Sequence, residues 1–132
     1  MTRLILTSDD SSAGALQRSG LADLVVPILY RFVWGPLPSD AKLSAYLARR
    51  TRQPRGGHWL DFASHRDLEA SGGPKRSFVA LLERCDSVEL WMDNRPNDQL
   101  VLIWLLSYLH DHAEVATKIV LRHIDTPLFD AL

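Results

Sequence analysis

The chain has 132 residues, 46% of them apolar and 23% charged, which suits one globular domain and excludes a disordered or fibrous chain. With 15 basic and 16 acidic side chains the net charge is −1, so the molecule as a whole has no pull toward nucleic acid or an anionic membrane. Cys85 is the only cysteine, which rules out an intrachain disulfide and suits a reducing, cytoplasmic setting.

Met1 to Thr7 carries too short an apolar run for a secretory signal. Leu4-Ile5-Leu6-Thr7 reads instead as a buried strand, followed at once by turn chemistry in Ser8-Asp9-Asp10-Ser11-Ser12. Asp10 or Ser11 is the expected cap of a helix running to about Arg18, and Gly20 is its expected stop. Leu24 to Tyr30 is the second strand, and Pro27, which has no N–H to give, places it at a sheet edge or makes it irregular.

Trp34-Gly35-Pro36-Leu37-Pro38 is a loop, and Ser39 caps the next helix. Leu43, Tyr46 and Leu47 form that helix's apolar stripe, with Arg49, Arg50 and Arg52 expected in its last turns. Trp59 to Glu69 reads as one short helix. Gly72-Gly73-Pro74 ends it, and Pro74 suits the first turn of a further helix that buries Phe78, Leu81 and Leu82. Ser87 to Met92 is the third strand and Asp93 to Asn97 the turn after it. A strongly apolar helix then runs from about Asn97 to His112, and Lys118 to Leu121 forms a fourth strand.

Its longest apolar run, Leu100 to Leu106, is far below the roughly 20 residues that span a bilayer. The helix nevertheless has almost no polar side: Leu100 through Leu106, Tyr108 and Leu109 leave only Ser107 between them. Cover on both sides is needed, either from a second copy, giving a homodimer through residues 97–112, or from the Trp59 to Glu69 segment.

Strands alternate with helices over connections long enough for crossovers. The pattern predicts a single α/β domain over residues 1–132, three-layered and Rossmann-like or flavodoxin-like, with a mainly parallel four-stranded sheet of order 2-1-3-4. Ligands of such sheets bind beyond the strands' carboxyl ends, where the order reverses. The loops after the first and third strands would therefore face each other. Asp10, Ser11 and Ser12 come from one, and Asp93, Arg95, Asp98 and Gln99 from the other.

Backbone N–H groups at Ser11 to Gly14 suit a small anionic ligand, although the Gly spacing and Lys of a P-loop are missing. Asp9 and Asp10 would repel a bare phosphate unless a cation held by Asp9 or Asp10 with Asp93 and Asp98 intervened. The structural alternative makes one of the first pair a cap, Asn94 or Asn97 the cap of the apolar helix, and Asp98 a first-turn acid. His110 and His112, two apart, point to different faces, and His123 with Asp125 reads as a solvated strand end or an acid–base pair. Cys85 reads as a small buried apolar residue.

Thr7 to Gly14, Gly35-Pro36-Leu37-Pro38, and Leu90-Trp91-Met92-Asp93 with Asp98-Gln99-Leu100 together resemble the bacterial DUF1835 family, over nearly the whole chain including Phe62 to Leu68. That family has no assigned function, so the resemblance implies a site pattern and no reaction. Against the pattern, Asp9 replaces a Gly, Ile5 a polar His, Tyr30 and Val33 an Asp and a His, and Arg95 an acidic residue. Asp10, Ser11, Asp93, Asp98 and Gln99 are retained. The departures remove acid–base groups. They favour a dimeric ligand-binding or protein-interaction module over the alternative, a metal-dependent enzyme acting on a phosphorylated or nucleotide substrate.

Overall fold

A computed structural model describes residues 2–33, 35–62 and 76–124. Four strands, β1 (Arg3–Thr7), β2 (Leu24–Pro27), β3 (Ser87–Met92) and β4 (Ile119–His123), form one all-parallel sheet in the order β2-β1-β3-β4. Alternation along the strands divides the core in two. Leu4, Leu6, Leu24, Val26, Val88, Leu90 and Met92 enter the larger cluster, whereas Ile5 and Val25 enter a smaller one beneath α1 (Asp10–Ser19) with Ala13 and Leu16. With helices on both sides, the architecture is the three-layer one expected.

β2 stops at Pro27 instead of running to Tyr30. Pro27 pairs with Thr7 on the sheet's edge, and the next amide, Ile28 N–H, closes the ladder on Thr7 O at 2.7 Å. Ser39 caps α2 (Asp40–Leu47) by accepting from Lys42 N–H, as its residue type predicts. The helix ends at Ala48, before the arginines expected in its last turns. Arg50 instead pairs with Asp61 in the 3-10 turn Trp59–Phe62. This turn is the part of the expected Trp59–Glu69 helix that falls among the described residues, and Pro74 lies outside them. α3 (Phe78–Arg84) starts from a Ser77 cap, four residues later than a proline at its first turn would place it.

The apolar helix is α4 (Pro96–Leu109), shorter than expected at its C-terminus because a separate one-turn helix, α5 (Ala113–Ala116), takes over before β4. α4 buries Val101, Leu102, Leu105 and Leu109 against the sheet. A second flank of α4 is covered from within the chain. Trp104 packs its ring edge-on at 5.4 Å from Tyr30, 5.4 Å from Phe32 and 5.6 Å from Tyr46. Leu100, Ile103 and Leu106 remain exposed.

Lys118, expected as the first residue of β4, lies just before it. Its ammonium donates to Leu82 O, Glu83 O and Cys85 O at 2.7–3.1 Å, satisfying the C-terminal carbonyls of α3. On the α1 side of the sheet Glu89 is almost fully buried and paired with Arg3 of β1 and Arg122 of β4. Burial pushes its carboxyl up. Hydrogen bonds and charge from Arg3 and Arg122 outweigh that and hold it below the usual range. Among the described residues no helix is long and apolar enough to cross a membrane.

Candidate functional site

β1 and β3 are central neighbours, and the chain leaves β1 toward β2 on one side but β3 toward β4 on the other. Their loops therefore part at the carboxyl ends, as the strand order requires. Between them lies a crevice of about 120 Å³ lined by Ser8, Asp9, Arg31, Arg95, Asn97 and Asp98.

In the first loop the cap of α1 is Asp9, as the reading of one of the Asp9–Asp10 pair as a cap allows, and not Asp10 or Ser11, the residues expected to cap it. Asp9 has the extended backbone that a cap needs, and its carboxylate accepts from Ser11 N–H at 3.1 Å and Ser12 Oγ at 2.8 Å. Asp10 becomes the first helical residue and is exposed with Ser11. One residue earlier, Ser8 is 7% exposed, and its Oγ is buried with no hydrogen-bond partner. A buried hydroxyl left unpaired carries its full desolvation cost, so this is the most unusual polar atom in the crevice.

The second loop is held largely by its own side chains. Asp93 and Asp98 are both buried, and Asp98 Oδ2 accepts from Asp93 N–H at 2.9 Å. Asp93 Oδ1 accepts from Asn94 N–H at 2.5 Å, Arg95 Nε lies 3.4 Å from its other oxygen, and Gln99 Nε2 donates to Asp93 O at 2.8 Å. Neither Asn94 nor Asn97 caps α4. The cap position is Arg95, without a side-chain bond, and Pro96 follows at the first turn, where its missing N–H costs nothing.

Asn97 bridges to the neighbouring loop. Its Oδ1 accepts from Phe32 N–H at 2.7 Å and its Nδ2 donates to Tyr30 O at 2.8 Å. The two residues flanking Arg31 are thus fixed to the start of α4, which delivers Arg31 to the crevice. No ion pair of Arg31 occurs among the described residues.

Of the expected ligand-binding residues, Arg95 and Asp98 line the crevice. Asp10, Ser11, Ser12, Asp93 and Gln99 do not, being either exposed on α1 or engaged in holding the turns. Ser8, Arg31 and Asn97 were missed. Ser8 carried a readable signal, since it is the first polar residue after a buried strand. Arg31 and Asn97 carried none, because what brings them together is the bond from Phe32 N–H to Asn97, 65 positions apart in sequence.

Asp9 and Asp98 share the crevice, but each accepts from backbone N–H groups of its own turn. Among the described residues no group of three or more His, Cys, Asp or Glu is placed to hold a metal ion. Asp125, the suggested partner of His123, lies outside the described residues. Burial pushes the Cys85 thiol up, away from the reactive thiolate, as its reading as a packing residue requires.

No family model, curated protein or solved structure matches the chain.

Proposed function

We propose that this chain is a non-catalytic, cytoplasmic domain that binds a small polar ligand in the crevice at the carboxyl ends of β1 and β3. What carries this reading is Ser8 Oγ, a buried hydroxyl without a partner in a cavity that two arginines also line. A bound polar group that pairs with this hydroxyl repays the desolvation already incurred. Arg31 and Arg95 would donate to oxygens of the ligand. Asp9 and Asp98 balance those charges, so the group that fits best in the crevice both donates and accepts, as a hydroxyl-bearing ligand does. The alternative of a metal-dependent enzyme needs Asp9 or Asp10 to converge with Asp93 and Asp98, and their separate duties speak against it.

A thermal-shift panel of sugar phosphates and nucleotides, with and without Mg²⁺, tests this. Binding at a hundredfold excess over Kd stabilises the native state by about 2.7 kcal/mol. A shift lost in both Ser8→Ala and Arg95→Ala is expected. A shift that requires Mg²⁺ and persists in both variants would favour the enzyme instead.

We further propose that two copies meet through the exposed Leu100, Ile103 and Leu106 of α4, which Trp104 and its aromatic neighbours leave uncovered. Sedimentation should give a dimer at micromolar concentration and a monomer for Ile103→Glu. A wild-type monomer throughout would rule the dimer out.

A further inference from the structure

Beside the crevice lies a larger, open cavity of about 450 Å³, and Arg31 lines both. The cavity sits between the end of β2, the start of α2 and the turn at residues 54–57. Arg31, Lys42 and Arg55 line it, and among the described residues no Asp or Glu does, although the chain as a whole has a net charge of −1. Three positive charges are therefore gathered in one concavity on a nearly neutral molecule, in a space typical of small-molecule sites.

We propose that this cavity binds the phosphate of a phosphorylated small molecule whose hydroxyl-bearing end occupies the crevice, so that the ligand resembles a sugar phosphate in its chemistry. The proposal rests on the reading of the crevice and extends it.

Three observations support it. Lys42 stands in the first turn of α2, where the helix dipole disfavours a cation, and an anion beside it would remove that conflict. Arg55 rides on a turn that is already fixed. Gly57 N–H donates to Pro54 O, while Asp61 accepts from Gly56 N–H and His58 N–H. Asp61, the carboxylate closest along this turn, is itself buried against Arg50 and does not line the cavity. Finally, Pro36, Pro38 and Pro54 form part of the wall, so little backbone freedom remains to be lost when a ligand binds. The backbone that carries Arg55 is thus fixed before the anion arrives.

Inorganic phosphate, pyrophosphate and glucose 6-phosphate, titrated into ¹⁵N-labelled full-length chain, separate the two sites. Phosphate should move the amide signals of Lys42, Arg55 and Gly56. Its affinity should fall at least tenfold in Lys42→Ala/Arg55→Ala, whose substituted side chains are exposed, and should fall with rising salt. Glucose 6-phosphate should in addition move Ser8 and Asn97, and those shifts alone should vanish in Ser8→Ala. Phosphate binding unchanged in the double variant, or no shift at residues 42 and 54–57, would overturn the basic cavity while leaving the crevice standing. Phosphate shifts at residues 42 and 54–57 without any response of Ser8 to the sugar phosphate would overturn the joint ligand and the crevice together. A mixed-sequence RNA oligonucleotide binding more tightly than pyrophosphate would reassign the cavity to nucleic acid.

Discussion

Replacing Ser8 with alanine should make the ligand-free protein more stable, which is the opposite of what most substitutions at a buried position do. Ser8 is 7% exposed and its Oγ has no partner. In mutational data an unpaired buried hydroxyl costs about 1–3 kcal/mol relative to a group that needs no partner. Alanine keeps the backbone and Cβ and removes a single oxygen, so the offsetting loss of packing is small. The net gain should be about 1 kcal/mol. Urea unfolding measures it as an increase in midpoint at constant slope. The same variant should lose the ligand-induced thermal shift, so stability and binding move in opposite directions. A loss of 0.5 kcal/mol or more in Ser8→Ala would refute the reasoning, because it would mean that the hydroxyl is paired in solution and is not waiting for a ligand.

Asn97→Ala removes two partly buried hydrogen bonds and should cost about 1–3 kcal/mol by the same urea assay, while weakening ligand binding through Arg31. His58 is buried, with Nε2 against Ala48 O and Nδ1 accepting from Leu60 N–H, an arrangement that requires the neutral ring. Burial lowers its pKa, so the unfolded chain takes up the proton first. Stability should thus be fully present above about pH 6.5, the unperturbed value, and decline as pH falls toward 5. His58→Gln should flatten that decline in a series of unfolding curves. Gly20→Ala places a side chain at φ +73° with open space around it, so about 1–2 kcal/mol of pure backbone strain should appear as a lower thermal midpoint.

The sheet was legible because each strand carries its own signal. Leu4 to Thr7 is apolar and followed by turn residues, Ser87 to Met92 is bounded on both sides, and Pro27 marks an edge. The connections pointed to a parallel sheet, its order was taken by analogy with flavodoxin-like folds, and the crevice followed from that order. Side-chain duties were less legible. Asp9 and Asp10 are equivalent as residue types, and only the local backbone decides which of them caps α1. The excess of apolar residues in α4 pointed to a need for cover without showing that Tyr30, Phe32 and Tyr46 supply part of it. Arg31, Lys42 and Arg55 were invisible as a group, since they are far apart in sequence and meet only in the folded chain.

The strand order also bears on how the chain is made. β1, α1 and β2 are complete once residue 27 has been synthesised, but β1's other neighbour is not complete until residue 92. At roughly 5–20 residues per second, about 3–13 seconds separate the two events. During that interval Leu4, Leu6, Leu24 and Val26, which belong to the larger core, have none of their β3 or α4 partners, and the inner edge of β1 is an open ladder of backbone donors and acceptors. A nascent chain of this fold is therefore most exposed to mispairing while residues 28–92 are being translated.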